Sequence, residues 1–351
     1  MGNLKISLFD SKPYDQEFFS KVNSRPEYGF DIHYLPGRLN IDTVPAIKGF
    51  DTACVFVNDN IDDKVIDKLS YYGIKLLALR SAGYNNVDLK HIFGKIHVVR
   101  VPAYSPYAVA EHAIALMMAL NRKTHRAYYR TRDNNFTLTS LLGFDMHGKT
   151  AGVIGTGKIG KVVMDILRGF GVRILAHDKY PDLEYAQKNN VEYTELDKIY
   201  RESDIITLHC PLTPESVHMI NSESIGKMKN GVMIINTGRG KLIDTKDLIS
   251  GLKTHKIGSA GLDVYEEEEE YFFQDFSAEA INDDVLARLM TFPNVIVTAH
   301  QAFFTREAIE KIAETTLENI RLFFSEGELP NEICYKCKDG KCIKQTSGKC
   351  F

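Results

Sequence analysis

Long apolar runs are missing from this sequence: none reaches the roughly 18 to 20 residues of a membrane helix, so no membrane span is expected. Basic excess is missing too. Lys and Arg number 43 against 46 Asp and Glu, a formal net charge of −3, and no nucleic-acid partner held on a basic face is expected. The N-terminal stretch lacks a secretory pattern, because Lys5 interrupts it and residues 4–9 read as a strand. Residue 6 is Ile where an N-myristoylation signal wants Ser or Thr. The expected compartment is the cytoplasm. Cysteine is scarce in the body of the chain: of six, four crowd the last eighteen residues. Cys54 and Cys210 lie in apolar strand patterns and are expected to be buried, inert thiols. No internal repeat is visible, and the only charge run is 266–270.

What is present fits a globular protein of two domains. The chain has 351 residues, 44% of them hydrophobic and 25% charged. Its most informative stretch is Thr150-Ala151-Gly152-Val153-Ile154-Gly155-Thr156-Gly157-Lys158-Ile159-Gly160. A short apolar strand enters a turn in G-x-G-x-x-G register, and a helical pattern comes next with Ile159, Val162, Val163, Ile166 and Leu167. That context lifts the motif above chance. Gly155 permits the tight turn, Gly157 lets the backbone approach a pyrophosphate, and Gly160 lets the helix pack on the strand. The open N–H groups at the helix start face the phosphates. Strand 173–177 then ends at Asp178, 18 residues beyond Gly160. An acidic residue near that distance binds the adenosine ribose and repels a 2′-phosphate, so NAD is the expected cofactor.

Strand-like runs at 4–9, 31–35, 53–57, 75–80 and 98–101 precede this motif, with helical patterns at 14–22 and 62–72 between them. The alternation predicts parallel βα units. Pro102 and Pro106 then break the chain. Residues 107–129 read as one long helix, too apolar for a single solvent face, and contact with a second subunit or core packing would account for it. Further strands at 203–209, 232–236, 259–264 and 295–298 end near Cys210, Arg239, Asp263 and His300. Ligands of open parallel sheets sit beyond such carboxyl ends. A last helix, 306–324, is expected to return to the first domain and make it discontinuous.

Three ionisable residues come after separate strands. Arg239 offers a planar fork for a carboxylate. His300 can hold or release a proton near neutral pH. A carboxylate beside it would stabilise the imidazolium and fix its orientation. Chemistry alone does not choose among the five glutamates 266–270.

Residues 79–88 (LRSAGYNNVD), 101–106 (VPAYSP), 231–240 (GVMIINTGRG) and 261–266 (GLDVYE) resemble the D-isomer-specific 2-hydroxyacid dehydrogenases, most of all the bacterial fermentative members that form D-lactate. The resemblance covers residues 4–331. It implies an α/β fold of two Rossmann-like domains with a cleft between them: a discontinuous, flavodoxin-like substrate domain (1–103 and 299–331) and an NAD-binding Rossmann domain (104–298). It implies reversible hydride transfer between NADH and pyruvate, with domain closure excluding water. It selects Glu268, five residues past Asp263, as the partner of His300, the proton donor, and gives the substrate carboxylate to Arg239. Backbone N–H groups of Ser81, Ala82, Gly83 and Tyr84 would share that carboxylate. Phe56, Tyr104 and Phe303 would wall a pocket with room for little more than a methyl group. Lys158, Ile159, Cys210, Pro211, Thr237, Gly238 and Arg239 match cofactor positions, and Asp263 the aspartate near the nicotinamide carboxamide. A homodimer or dimer of dimers is expected. Two other readings use the same residues: a dehydrogenase for a larger 2-oxo acid, or a dinucleotide-sensing, corepressor-like binding protein.

After Asn331 the resemblance stops. Residues 332–351 form a Cys- and Lys-rich tail with Cys334, Cys337, Cys342 and Cys350 in C-x2-C-x4-C-x7-C spacing. Four thiolates could bind zinc, although the spacing matches no familiar module. A mobile tail with unligated thiols is the expectation, without a catalytic role.

Overall fold

Strands covered on both faces need unbroken apolar runs. Thr52–Val55, Leu76–Leu79 and Thr150–Ile154 have them and are buried at every position. This computed structural model describes residues 4–268, 271–327, 329–336 and 350. Two units result: Met1–Ser105 with Thr305–Phe351, and Pro106–Phe304.

In the first unit, β1 (Lys5–Leu8), β2 (Asp31–Tyr34), β3 (Thr52–Val55), β4 (Leu76–Leu79) and β5 (His97–Val99) form a parallel sheet in the order β2-β1-β3-β4-β5. This is the flavodoxin-like doubly wound order. Helix Asp63–Tyr71 starts where the Asp62 carboxylate accepts the Val65 amide at 2.9 Å. Helix Arg306–Ser325 packs on helix Pro13–Asn23 and on β4 and lies within this unit.

The tail does not begin as a free segment. Ile333 and Tyr335 pack against the core beneath β3 and β4, and Ile333 donates to the Val98 carbonyl at 2.9 Å. Buried Glu332 accepts from the Cys350 amide at 2.8 Å and lies 2.6 Å from Nδ1 of His97. The physical reason is apolar: two large side chains beyond Asn331 complete a core that the strands leave open. Among the described residues no group of three or more His, Cys, Asp or Glu is placed to hold a metal. Cys337 and Cys342 lie outside the described residues.

The second unit is a seven-stranded parallel sheet built from β6 (Thr150–Ile154), β7 (Arg173–His177), β8 (Val191–Tyr193), β9 (Ile205–Leu208), β10 (Val232–Asn236), β11 (Ile257–Leu262) and β12 (Val295–Val297). Its order is β12-β11-β10-β9-β6-β7-β8. Strand order reverses direction between β6 and β9, the switch point where dinucleotides bind in this architecture.

The long helix expected over 107–129 is two helices, Pro106–Arg122 and Thr124–Arg132. Lys123 breaks them with a left-handed φ of +51° and an Nζ bond to the Leu142 carbonyl. The two halves differ in surroundings. Ala110, Ala113, Leu116, Met117 and Leu120 of the first half are buried in the core on β10 and β11 and on helix Lys158–Gly169. Each fully buried side chain of Leu or Met size contributes about 1.5–3 kcal/mol. No residue of the second half is fully buried, and Tyr128 and Tyr129 are exposed. No helix among the described residues is long and apolar enough to cross a membrane.

Candidate active site

The glycine turn can be read atom by atom. Gly155 has φ +92°, and a Cβ there would stand 2.3 Å from the Cys210 amide nitrogen, so the β6 and β9 ends meet with no room for a side chain. A Cβ on Gly160 would stand 2.1 Å from the Gly155 carbonyl oxygen. Gly157 is different: nothing lies within 4 Å of a Cβ built on it. It caps helix Lys158–Gly169, whose first amides have no side-chain cap from it. Open space beside uncapped amides is what a pyrophosphate requires. Lys158 is exposed and Ile159 half-buried at the same helix start.

Asp178 comes directly after β7. Its Oδ2 accepts from the Thr156 amide at 2.6 Å and hydroxyl at 3.1 Å, and its Oδ1 from the Tyr180 amide at 2.9 Å. Burial pushes this carboxyl up, but these hydrogen bonds outweigh it and hold it below the usual range. A fixed carboxylate therefore stands at the edge of the glycine turn, suited to ribose hydroxyls and hostile to a phosphate. Thr237 adds a second sign of fit. It lies just past β10, is buried, and its Oγ1 has no hydrogen-bond partner. Gly238 beside it donates to Asn236 Oδ1 at 3.0 Å. Cys210 and Pro211 lie past β9, and burial raises the Cys210 thiol to about 11. Cys54 in β3 is likewise raised by burial, to about 12, so both thiols stay protonated.

Arg239 is half-buried after β10, its Nη1 donating to the Gly238 carbonyl at 2.7 Å. A Cβ on the next residue, Gly240, would stand 2.1 Å from the Tyr265 carbonyl. The backbone bearing Arg239 thus lies directly against the segment that leads to Glu268. Asn236 ties the two strands further, donating to the Arg239 carbonyl at 2.9 Å and accepting the Asp263 amide at 2.9 Å.

Glu268 and His300 come together: Glu268 Oε1 lies 2.8 Å from His300 Nδ1. Of the glutamate run, Glu266 is engaged elsewhere, 2.7 Å from His218 Nε2 and accepting the Thr245 amide at 2.8 Å. His300 itself has φ +50°, a left-handed backbone uncommon outside glycine. Its amide donates to the Asp263 carbonyl at 2.8 Å. The Asp263 carboxylate is fully buried and accepts from Thr298 Oγ1, the Gln301 amide and the Ala302 amide. Sequence reasoning missed Phe273, whose ring centre is 6.1 Å from His300 and 6.5 Å from Phe303. It also missed Thr298 and His112, whose Nε2 is 3.1 Å from Thr298 Oγ1. No motif marks these three; only the fold brings them in.

The remaining candidates belong to the first unit. Ser81 is buried and its hydroxyl donates to the Gly83 carbonyl at 2.8 Å. Arg100 donates to the Ala82 carbonyl at 2.8 Å and lies over the Tyr84 ring at 5.2 Å, so the loop after β4 is fastened on both sides. Phe56 is buried, with the Arg80 guanidinium 4.7 Å from its ring centre and its amide held by Asp59 at 2.6 Å. Tyr104 is half-buried just before the chain leaves this unit.

A reversing parallel sheet with a fitted glycine turn and a ribose-ready carboxylate defines a dinucleotide-binding protein of the doubly wound class, with an acid–base pair on the same unit. A family model for "D-isomer specific 2-hydroxyacid dehydrogenase, NAD binding domain" matches residues 114–302. The D-lactate dehydrogenase of Escherichia coli is 49% identical over 333 residues, 94% of this chain and 100% of that protein. A 2-hydroxyacid dehydrogenase homolog of Haemophilus influenzae is 50% identical over 340 residues, 96% and 97% of the two chains. The apo structure of the Escherichia coli D-lactate dehydrogenase aligns with a TM-score of 0.86 at 48% identity, covering 94% of this chain and 100% of that one. The chain belongs to the D-isomer-specific 2-hydroxyacid dehydrogenases, oxidoreductases that use NAD.

Proposed function

We propose that this chain is an NAD-dependent D-lactate dehydrogenase that reduces pyruvate. The observation that carries the reading is the 2.8 Å pair of Glu268 and His300 on an NAD-binding unit, in a chain about half identical to a D-lactate dehydrogenase along nearly its whole length.

NADH, when bound, supplies the hydride that the pyruvate carbonyl carbon takes up. Arg239 binds the substrate carboxylate through its fork and stabilises the charge that grows on the carbonyl oxygen. His300 gives its Nε2 proton to that oxygen, which completes the hydroxyl of lactate. Glu268 accepts from Nδ1, fixes the ring and keeps its charge favourable. In the reverse direction His300 takes the hydroxyl proton back. Phe303 walls the substrate side chain, which is limited to about a methyl group. A wall that rejects one methylene discriminates only about 10- to 200-fold, so glyoxylate and 2-oxobutyrate turn over more slowly. The first unit is the substrate domain. The enzyme works in the cytoplasm as a homodimer or dimer of dimers. Support for self-association comes from helix Thr124–Arg132 and residues 133–142 beyond it, where Tyr128, Tyr129, Phe136, Leu138 and Leu142 are all exposed.

The test is NADH oxidation by the purified chain with pyruvate, glyoxylate, 2-oxobutyrate, 2-oxoisocaproate and phenylpyruvate, with chiral analysis of the product. Fastest turnover with pyruvate, giving D-lactate, is expected. Fastest turnover with a larger acid would overturn the pocket assignment. Tight NADH binding without turnover of any of them would make the chain a dinucleotide sensor.

A further inference from the structure

The loop that presents His300 is held from below by a buried carboxylate. Asp263 Oδ1 accepts from the Thr298 hydroxyl at 2.6 Å and the Gln301 amide at 2.8 Å. Its Oδ2 accepts from the Ala302 amide at 2.9 Å, and its backbone carbonyl accepts from the His300 amide at 2.8 Å. Three successive amides, 300 to 302, therefore converge on one residue. Burying a charge is costly unless it is hydrogen-bonded, and these donors offset the cost. They also maintain His300 in its left-handed conformation, which a free loop would leave.

One further side chain reaches this carboxylate, from the core-packed helix Pro106–Arg122. His112 Nε2 lies 3.1 Å from Thr298 Oγ1 and 3.4 Å from Asp263 Oδ1. Counting protons gives the direction of these bonds. A threonine hydroxyl has one hydrogen, and the 2.6 Å contact spends it on Asp263. Toward His112 the hydroxyl can only accept, so Nε2 carries the proton. The chain then runs from His112 N–H to Thr298 O–H to the Asp263 carboxylate, and from there through the loop amides to His300.

We propose that His112 is a positioning residue for proton transfer: its Nε2–H orients the Thr298 hydroxyl onto Asp263 and so fixes the aim of the His300 imidazole. This rests on His300 being the proton donor. His112 acts at a distance, through the loop, and its loss costs rate more than binding. A misplacement of about 1 Å at the reacting atoms can cost about 100-fold.

The experiment compares His112→Phe and His112→Gln with wild type by pyruvate reduction, NADH affinity and melting temperature. Phe keeps the ring and loses the donor. Gln carries an N–H the same number of bonds from the backbone as Nε2. The expected result is a kcat about 10- to 100-fold lower in His112→Phe, with the pyruvate KM and NADH Kd within about twofold of wild type, and most of the rate restored in His112→Gln. A wild-type kcat in His112→Phe overturns the proposal, as does a folded His112→Gln as slow as His112→Phe. Thr298→Val breaks the same chain at its middle and serves if His112→Phe does not fold; it is expected to lose a similar factor, and an unchanged kcat there also overturns the proposal. The His300→Ala variant separates the two levels. Full activity in it removes the proton-donor reading itself, whereas an inactive His300→Ala beside a fully active His112→Phe removes only the role of His112.

Discussion

Glu268 grips His300 with one oxygen and its own loop with the other: Oε1 is 2.8 Å from His300 Nδ1, and Oε2 accepts the Tyr265 amide at 3.0 Å. The carboxylate is thereby fixed before it fixes the imidazole. With Nδ1 engaged, Nε2 is the ring nitrogen left to deliver the proton in the proposed mechanism.

Glu268→Gln keeps the size and the hydrogen bond but removes the charge opposite the imidazolium. Positioned acid–base groups contribute about 10²- to 10⁴-fold, and this variant should lose about 100-fold in kcat for pyruvate reduction. NADH affinity, measured by fluorescence, should be unchanged. A kcat within twofold of wild type would remove Glu268 from the acid–base pair.

Arg239→Lys keeps a positive charge and loses the fork. Because bidentate recognition of a carboxylate is lost and a donor to the developing oxyanion is displaced, about 10²- to 10³-fold in kcat/KM should disappear. The pyruvate KM should rise with it. Steady-state kinetics on a folded variant decides this, and near-normal kcat/KM would show that Arg239 does not meet the substrate.

Two glycines of the turn should separate cleanly. Space is open at Gly157 and closed at Gly160, where a Cβ would stand 2.1 Å from the Gly155 carbonyl oxygen. Gly157→Ala should therefore fold with a normal melting temperature and bind NADH at least about tenfold more weakly, a cost of about 1.4 kcal/mol. Gly160→Ala should lose stability instead, in the range of about 1–3 kcal/mol for overpacking. Equal NADH affinity in wild type and Gly157→Ala would place the pyrophosphate elsewhere.

Asp59 gives a pH prediction of unusual sign. Burial raises its carboxyl to about 6, against the pull of Arg80 and of the Phe56 and Leu39 amides. The folded state then holds a proton that the unfolded chain releases from about pH 4 upward. This favours the folded state in acid, and the advantage is lost as pH rises through about 6. Between pH 5 and 7 the contribution falls by about 1 kcal/mol, one pKa unit being about 1.4 kcal/mol. Asp59→Asn has no such titration, so its stability relative to wild type should improve by that amount from pH 5 to 7. Urea unfolding at the two pH values checks this; a constant difference would refute it.

Much of the scaffold is legible in the sequence because its signals are local. The glycine turn, the apolar strands and Asp178 each depend on neighbours within a few residues. Arg239 and His300 are legible as ionisable residues after strands. Glu268 is not, because five adjacent glutamates look alike until the chain turns; the fold sends Glu266 to His218 and Glu268 to His300. The break at Lys123 is equally hidden, since a left-handed lysine carries no sequence mark and is set by residues near 142–144, where Asn121 exchanges two hydrogen bonds with the Phe144 backbone. The docking of Ile333 and Tyr335 on the first core is long-range in the same sense.

The most direct measurement is pyruvate reduction by His300→Ala beside wild type, with NADH affinity determined on both. Removal of the proposed proton donor should lower kcat by about 10²- to 10⁴-fold while NADH binds as before, and wild type should yield D-lactate. A variant that reduces pyruvate at the wild-type rate would contradict the proton-transfer role of His300, on which the proposed mechanism rests.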